Sequence, residues 1–154
     1  MQISHELKVI LWAMSPILEL RAAIPYGLMH NLKPLFTFFL AIFGSSIIIP
    51  FVYYLFIPCI DLLERMPRFG SIFKKFRVRV INKSKKLGKV EFIGLMIFVG
   101  IPLPGTGAWT GSMVASVLKM PLPIAFCSIV LGNIIAGIIM LFLSHSSIKL
   151  FSFF

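Results

Sequence analysis

Long runs of hydrophobic residues dominate the pattern of the chain and predict two membrane-spanning helices. Residues 34–60 and 121–144 contain no charged residue. A helix needs roughly 20 apolar residues to cross the hydrocarbon core of a bilayer, and both runs are long enough. We therefore predict transmembrane helices over these two ranges.

A third hydrophobic segment, residues 9–32, is interrupted by Pro16, Glu19, Arg21 and Pro25. The interruptions leave two apolar pieces of about 10 residues, and each piece covers roughly 15 Å, half of the hydrocarbon core. The pattern predicts a re-entrant hairpin, in which the backbone is broken at the prolines and the chain returns to the face it entered. The alternative is an amphipathic helix in the membrane surface.

A fourth segment, residues 92–118, is uncharged but contains the sequence IPLPGTGAWTG at its centre, with two prolines and three glycines. Pro102 lacks a backbone donor and would kink a continuous helix. Irregular backbone exposed to lipid would leave polar groups without partners, so the pattern predicts a second re-entrant hairpin. The alternative is a bent helix that spans the membrane fully.

The two halves of the chain share one order of elements, which is a broken hairpin, a short turn with proline, and a long helix. At an offset of 88 residues, Pro16 corresponds to Pro104 and Gly44 to Gly132. The hairpins would enter from opposite faces, as in an inverted-topology repeat. We predict an all-α integral membrane protein with one membrane domain, 1–154. Its parts are the hairpins 5–32 and 91–118, the helices 34–60 and 121–144, and a linker, 61–90.

The linker carries most of the positive charge. The chain has a net charge of +10, and ten of its fifteen Lys and Arg residues lie in residues 65–89. Elsewhere it is mainly apolar, since 58% of all residues are hydrophobic and only 13% are charged. Positive charge clustered between two hydrophobic spans indicates that the linker is cytoplasmic and that both termini are outside. The same clustering argues against nucleic-acid binding. The spacing of its apolar residues predicts an amphipathic segment that lies in the membrane surface, with a basic face that would contact anionic lipids. The alternative is a solvated loop. The basic residues are Lys74, Lys75, Arg77, Arg79 and Lys83.

Glu19 and Arg21 are opposite charges inside an apolar segment. Residues two apart point in different directions on a regular helix, so the two would pair only in an irregular tip. Ionisable groups at membrane depth are costly and are candidates for function. Burial would favour a neutral Glu19 and let it take up and release a proton, whereas a nearby Arg21 favours the charged form. The alternative is a purely structural ion pair.

The second hairpin offers hydrogen-bond donors opposite Arg21. Glycines allow close backbone approach, and amides at a helix start attract anions. We predict a midplane site for an anionic headgroup or an amphipathic solute; a tight turn for packing alone is the alternative. The candidate residues besides Glu19 and Arg21 are Pro25, Pro104, Gly105, Thr106, Gly107, Trp109, Thr110 and Asn133.

Small residues in the last long helix suggest close helix packing. Gly132 and Ala136 are four residues apart and so lie on one helix face. Such pairs are typical of helix association in membranes, so we predict a homodimer. The neighbouring Asn133 would line the site or, as we favour, pack across the bundle.

The motifs ELRAAIPYG (19–27) and PLPGTGAWTG (102–111) resemble those of the small multidrug export family of prokaryotic membrane proteins. The resemblance covers roughly residues 10–145 and extends to the DedA-like superfamily, whose members have two opposed re-entrant hairpins. It implies transport of an amphipathic or lipid-phosphate substrate across a prokaryotic inner membrane. The chain departs from the DedA-like pattern because it has no arginine within 92–118.

We therefore predict a transporter, with protons as the coupled ion, rather than an enzyme. The histidines are scattered near segment ends, and no HExxH motif or nucleophile elbow is present. No catalytic residue, metal or cofactor is expected. The alternatives are an uncoupled lipid scramblase or membrane-organising protein, and an accessory subunit of a membrane complex.

Overall fold

The computed structural model describes residues 4–65 and 87–151, which form six helices and contain no strand. The predicted all-α class is confirmed for these residues. The predicted basic face of the linker lies outside them. The helices are α1 (His5–Met14), α2 (Glu19–Met29), α3 (Pro34–Arg65), α4 (Leu87–Gly100), α5 (Ala108–Val117) and α6 (Leu122–Phe151).

The two long helices, α3 and α6, have the length and hydropathy of membrane spans over Pro34–Cys59 and Leu122–Ser144. These ranges agree with the predicted helices 34–60 and 121–144. α3 continues to Arg65 and α6 to Phe151, so both helices extend past the predicted ends. The predicted linker, 61–90, is therefore helical at both ends, because α3 runs to Arg65 and α4 begins at Leu87.

The short helix α1 has clear start and stop signals. The hydroxyl of Ser4 accepts a hydrogen bond from the amide of Leu7 at 3.4 Å, which caps the helix N-terminus. At the other end Ser15 is extended, with φ −70° and ψ 141°. The ring of Pro16 disfavours helical geometry at Ser15, so α1 ends there.

The predicted break at Pro25 is wrong, because Pro25 lies inside α2. The chain breaks instead at residues 15–18, which we call the first break. An internal proline costs about 3 kcal/mol in a helix, and packing of α2 against its neighbours outweighs this cost. Ile24 is fully buried, and a Cβ at Gly27 would overlap the side chain of Thr37 on α3.

The second break, residues 101–107, lies where its prolines and glycines predict it. Pro102 and Pro104 come two and four residues after Gly100, the last residue of α4. Gly105 has φ +86°, a left-handed conformation that glycine adopts without steric cost. The chain resumes a helix at Ala108, one residue after the break.

Contacts between helices fix their relative directions. The last turn of α1 reaches α3 at Gly44, where a Cβ would lie 3.0 Å from Cβ of Ala13. Likewise the last turn of α4 reaches α6 at Gly132, where a Cβ would lie 2.8 Å from Cβ of Val99. Each short helix therefore ends near the middle of the candidate membrane span of its own half, Pro34–Cys59 or Leu122–Ser144.

The long helices cross in opposite directions. Phe38, near the start of α3, packs against Gly137 in the second half of α6. The hydroxyl of Tyr53, further along α3, donates to the carbonyl of Met120 just before α6, at 2.6 Å. The start of α3 therefore lies beside the later part of α6, and the two long helices are antiparallel.

The turns that follow α2 and α5 have the same geometry at the predicted offset of 88 residues. Asn31 (φ 60°) and Lys119 (φ 52°) occupy the left-handed region at equivalent positions. The amide of the next residue closes the turn onto a carbonyl five residues earlier in both cases, at 3.0 Å. This is the hydrogen bond of a Schellman cap. The two halves thus share this connection, while their inverted membrane orientation stays a prediction.

The small-residue pair on α6 packs within the chain. Ala136 is 1% exposed and belongs to one of two buried hydrophobic clusters. Gly132 lies against α4, so neither residue presents a surface to a second copy. The homodimer stays a prediction, but this helix face cannot form its interface without rearrangement of the chain.

The glycine contact between α4 and α6 can be tested with a matched pair of substitutions. A Cβ at Gly132 would lie 2.7 Å from the carbonyl oxygen of Met96, whereas a Cβ at Gly94 meets no atom within 4 Å. We expect Gly132→Ala to lower the free energy of unfolding by about 1 to 3 kcal/mol through overpacking. Gly94→Ala should leave it unchanged or raise it by about 0.5 to 1 kcal/mol. Unfolding in mild detergent measures both, and equal effects would contradict the packing.

Candidate functional site

The two breaks lie against each other, and each is held by a side chain from the other half. The indole Nε1 of Trp109 donates to the carbonyl of Met14 at 2.9 Å. The Nη2 of Arg21 donates to the carbonyl of Ile101 at 3.3 Å. The Met14 carbonyl lies in the last turn of α1, where carbonyls have no partner within the helix, so Trp109 satisfies it. The Ile101 carbonyl also accepts from the amide of Leu103 and the hydroxyl of Thr106, both at 2.8 Å, so Arg21 adds a donor from the other half. Arg21 and Trp109 are equivalent at the offset of 88 residues.

Glu19 and Arg21 form a direct ion pair between these breaks. Nη1 of Arg21 lies 3.0 Å from Oε2 of Glu19, and the side chains are 14% and 6% exposed. Residues two apart can pair here because Glu19 has φ +48°, so the backbone is not regular helix at this position. Left-handed backbone costs a non-glycine residue about 1 to 3 kcal/mol, and such strain clusters at functional sites.

The second carboxylate oxygen of Glu19 faces the start of α5. The amide of Trp109 donates to Oε1 of Glu19 at 3.3 Å. The helix N-terminus favours a negative charge at this position through its unpaired amides and dipole. A Cβ at Gly107 would overlap the carboxylate, so only glycine leaves room for Glu19. Because φ of Gly107 is −90°, space rather than backbone conformation requires glycine.

Thr106 completes the surroundings of the guanidinium. Its Oγ1 accepts a hydrogen bond from Nη2 of Arg21 at 2.7 Å and lies 2.8 Å from the carbonyl oxygen of Ile101. The Nε of Arg21 is buried and has no partner among the described residues. Arg21 therefore retains one donor that an additional acceptor could satisfy.

The remaining predicted residues lie outside this cluster. Thr110 makes no side-chain hydrogen bond to it, Pro25 lies within α2, and Pro104 and Gly105 are exposed. Asn133 is fully buried and donates to Oγ of Ser45 at 3.1 Å across α3 and α6. The predicted packing role thus fits Asn133, whose Oδ1 has no partner among the described residues.

Two groups in the cluster were missed because they are backbone carbonyls. Met14 lies two residues before Pro16, and Ile101 lies directly before Pro102. A helix that ends at a proline leaves unpaired carbonyls in its last turn, so each proline was the available signal. Their donors from the other half, Trp109 and Arg21, are far away in sequence and could not be assigned.

The cluster offers a carboxylate that can hold a proton and donors that can hold an anion. Its titratable pair is one carboxylate and one guanidinium, surrounded by hydroxyl and amide donors. Within residues 4–65 and 87–151, no three His, Cys, Asp or Glu side chains gather as metal ligands. Donors outnumber acceptors around Glu19, so the site is a built-in anion position that Glu19 occupies.

The fit of Glu19 against Gly107 generates a double-mutant prediction. Gly107→Ala should lower the free energy of unfolding by about 1 to 3 kcal/mol, since its Cβ overlaps the Glu19 carboxylate. In a Glu19→Ala background the same substitution should cost clearly less, because the overlapping atoms are absent. Thermal unfolding of the four proteins measures the coupling. Additive effects would mean that the two positions do not touch.

The family of the chain follows from comparison with known proteins. A family model described as "Putative small multi-drug export protein" matches residues 19–139, which include Glu19, Arg21 and the whole second break. In two further comparisons, neither a curated protein nor a solved structure matched. Since the family model covers well over half of its residues, the chain belongs to the family of putative small multi-drug export proteins.

Proposed function

We propose that this protein is a small membrane transporter that exports or flips an amphipathic substrate in a proton-linked cycle. The observation that carries the proposal is the buried Glu19–Arg21 pair held between the two breaks. A buried ion pair in a largely apolar chain is costly, and such pairs mark transport sites in membrane proteins. The family description, which names export, supports the same class of function.

The proposal places both breaks near the bilayer midplane. α1 has 10 residues and α4 has 14, so they measure about 15 and 21 Å, less than the hydrocarbon thickness of about 30 Å. Each ends near the middle of a candidate membrane span, and the long helices are antiparallel. These contacts support two re-entrant hairpins that enter from opposite faces of the membrane, as in an inverted repeat. Because DedA-like proteins have two such opposed hairpins, we propose a related fold for this chain.

In the proposed cycle, Glu19 is the proton carrier and Arg21 the binding group. Protonation of Glu19 removes the negative charge that Arg21 and the Trp109 amide contact. The guanidinium then has free donors for an anionic or strongly polar headgroup, including a lipid phosphate, while the apolar part of the substrate lies in lipid. Deprotonation of Glu19 restores the ion pair and displaces the headgroup, which links proton release to substrate release.

The positive-inside rule orients the proposed transporter in a prokaryotic inner membrane. The basic residues between α3 and α4 would be cytoplasmic, where they would contact anionic lipids, and both termini would be outside. Protons, the bilayer lipids and the transported amphiphile are the proposed partners. No enzymatic step is assigned to the chain.

An uncoupled lipid scramblase is the second candidate. Ile17 in the first break is 88% exposed and Leu103 in the second is 55% exposed, which would bring lipid to the breaks. A scramblase would use this surface without a proton cycle at Glu19. An accessory role in a larger membrane complex would instead leave the purified chain without transport.

Transport by reconstituted protein tests the role of Glu19. In liposomes with an imposed pH gradient, we expect the purified protein to move one of the probes, a set of lipid phosphates and cationic dyes. Glu19→Gln and Arg21→Ala should reduce the rate to that seen without a gradient. Glu6→Gln, an exposed carboxyl on α1, is the matched control and should behave as wild type. A gradient-independent rate that Glu19→Gln retains would identify the scramblase.

The opposed hairpins predict opposite labelling of equivalent positions. Lys33 and Pro121 differ by 88 residues, are exposed, and lie in the turns after α2 and α5. With Cys59 and Cys127 replaced by serine, we expect a membrane-impermeant maleimide to label Lys33→Cys only from outside and Pro121→Cys only from the cytoplasmic side. Labelling of both from one side would contradict the inverted repeat, whatever the transport result.

A further inference from the structure

Both breaks lie at the surface of the protein, at a level where a membrane protein would meet hydrocarbon. Ile17 in the first break is 88% exposed and Leu103 in the second is 55% exposed, and Pro16, Pro104 and Gly105 beside them are exposed too. The breaks directly follow α1 and α4, which end near the middle of the candidate membrane spans. Exposed irregular backbone at this level requires an explanation, because hydrocarbon offers it no hydrogen bonds.

Several backbone groups of the breaks have no partner among the described residues. The carbonyls of Pro16 and Ile17 accept no hydrogen bond from them, and neither does the carbonyl of Pro104. The amide of Gly105 donates none within the same part of the chain. Such groups are stable at membrane depth only inside protein or beside water, which supplies the missing donors and acceptors.

The charged site reaches the same surface. The Arg21 side chain is 14% exposed, and its Nη2 donates to the carbonyl of Ile101, a residue that is 46% exposed. The hydroxyl of Thr106, which is half-buried in the second break, accepts from the same nitrogen. A guanidinium in contact with hydrocarbon is unfavourable, so its exposed part also requires water.

We propose that the two breaks line a water-filled opening in the membrane-facing surface, with the guanidinium of Arg21 at its inner end. Water pairs with the free carbonyls and with the amide of Gly105, while Ile17 and Leu103 form an apolar edge. The inference rests on the proposed function, which places the breaks near the bilayer midplane, and it adds the route of entry. An amphiphile enters sideways from the bilayer, with its polar headgroup in the water of the opening and its apolar part in lipid.

A second copy of the chain is the other way to cover the breaks. A two-fold interface brings the same surface patch together from both copies. Centred on the breaks, it would place one Arg21 near the other and unpaired carbonyls near unpaired carbonyls. Like charges repel, and carbonyl groups have no hydrogen to donate to one another. The surface is therefore not complementary to itself, which favours water over a second copy.

Labelling of single cysteines tests whether water reaches the breaks. Ile17→Cys and Leu103→Cys are introduced separately into the full chain with Cys59 and Cys127 replaced by serine, and the protein is reconstituted in liposomes. The short cysteine side chain keeps its thiol beside the backbone of the break. A charged methanethiosulfonate, present on both sides of the membrane, reacts with the thiolate, which forms in water and not in hydrocarbon. Both variants should therefore react at least about tenfold faster than lipid-facing controls.

Phe43→Cys and Leu131→Cys are the matched controls. The two side chains are 59% and 42% exposed, on the regular helices α3 and α6. They precede Gly44 and Gly132, the glycines that contact the ends of α1 and α4, so they lie at the level of the breaks. Mass spectrometry follows the labelled fraction with time. After denaturation in SDS all four variants should react at the same rate, which shows that each thiol is intact.

A fifth variant tests whether the opening extends to the site. Thr106→Cys should react more slowly than Leu103→Cys, because position 106 is half-buried, but faster than both controls. A rate equal to that of the controls would mean that water stops short of Arg21, and it would overturn the proposal.

Slow labelling at both Ile17→Cys and Leu103→Cys would overturn the opening itself. Disulfide-linked dimers of these variants after mild oxidation would identify a second copy as the cover and would equally overturn it. The labelling needs no transport, so the two proposals can fail separately. Fast labelling of a chain that transports no probe would contradict only the proposed function, and transport with slow labelling would contradict only the opening.

Discussion

Two helix ends inside a largely apolar bundle leave carbonyl groups that must find donors, and this requirement organises the centre of the molecule. Met14 and Ile101 present such carbonyls where α1 ends and just beyond α4, and Trp109 and Arg21 satisfy them from the opposite half. An unsatisfied polar group in an apolar surrounding costs several kcal/mol, on the order of the burial penalty for amides. Each carbonyl thus gains a donor from the other half, so the two breaks support each other, although the Ile101 carbonyl also accepts from the Leu103 amide and the Thr106 hydroxyl of its own break.

The position of the ion pair depends on these hydrogen bonds between the two breaks. It also depends on a difference in residue type between two positions that correspond at the offset of 88 residues. Glu19 and Gly107 correspond at the offset of 88 residues, and they touch. Ser45 and Asn133 also correspond, and they share a hydrogen bond. Both contacts lie where the first and second halves of the chain meet. At such a point there is room for one carboxylate only, which explains why a glycine stands opposite Glu19.

Several elements could be predicted because their causes are local. An uninterrupted apolar run is sufficient for a long helix, so α3 and α6 followed from the pattern. The second break followed from two prolines and a left-handed glycine. Pro25 was misjudged because the cost of an internal proline is balanced by packing of α2 against α3, which involves Thr37 and is invisible in the local sequence. The same limit applied to Gly132 and Ala136, whose partners turned out to lie within the chain.

By itself, the sequence determined the helical class, the two candidate spans, the existence of both breaks and the placing of Glu19 and Arg21 beside the first break. These depend on residue types and spacings along a few turns. Only the tertiary structure decided that the two charges pair, that Trp109 and Gly107 surround them, and that Asn133 joins Ser45. The ion pair depends on the left-handed backbone at Glu19, and the other contacts connect residues more than 80 positions apart. Helical periodicity encodes neither.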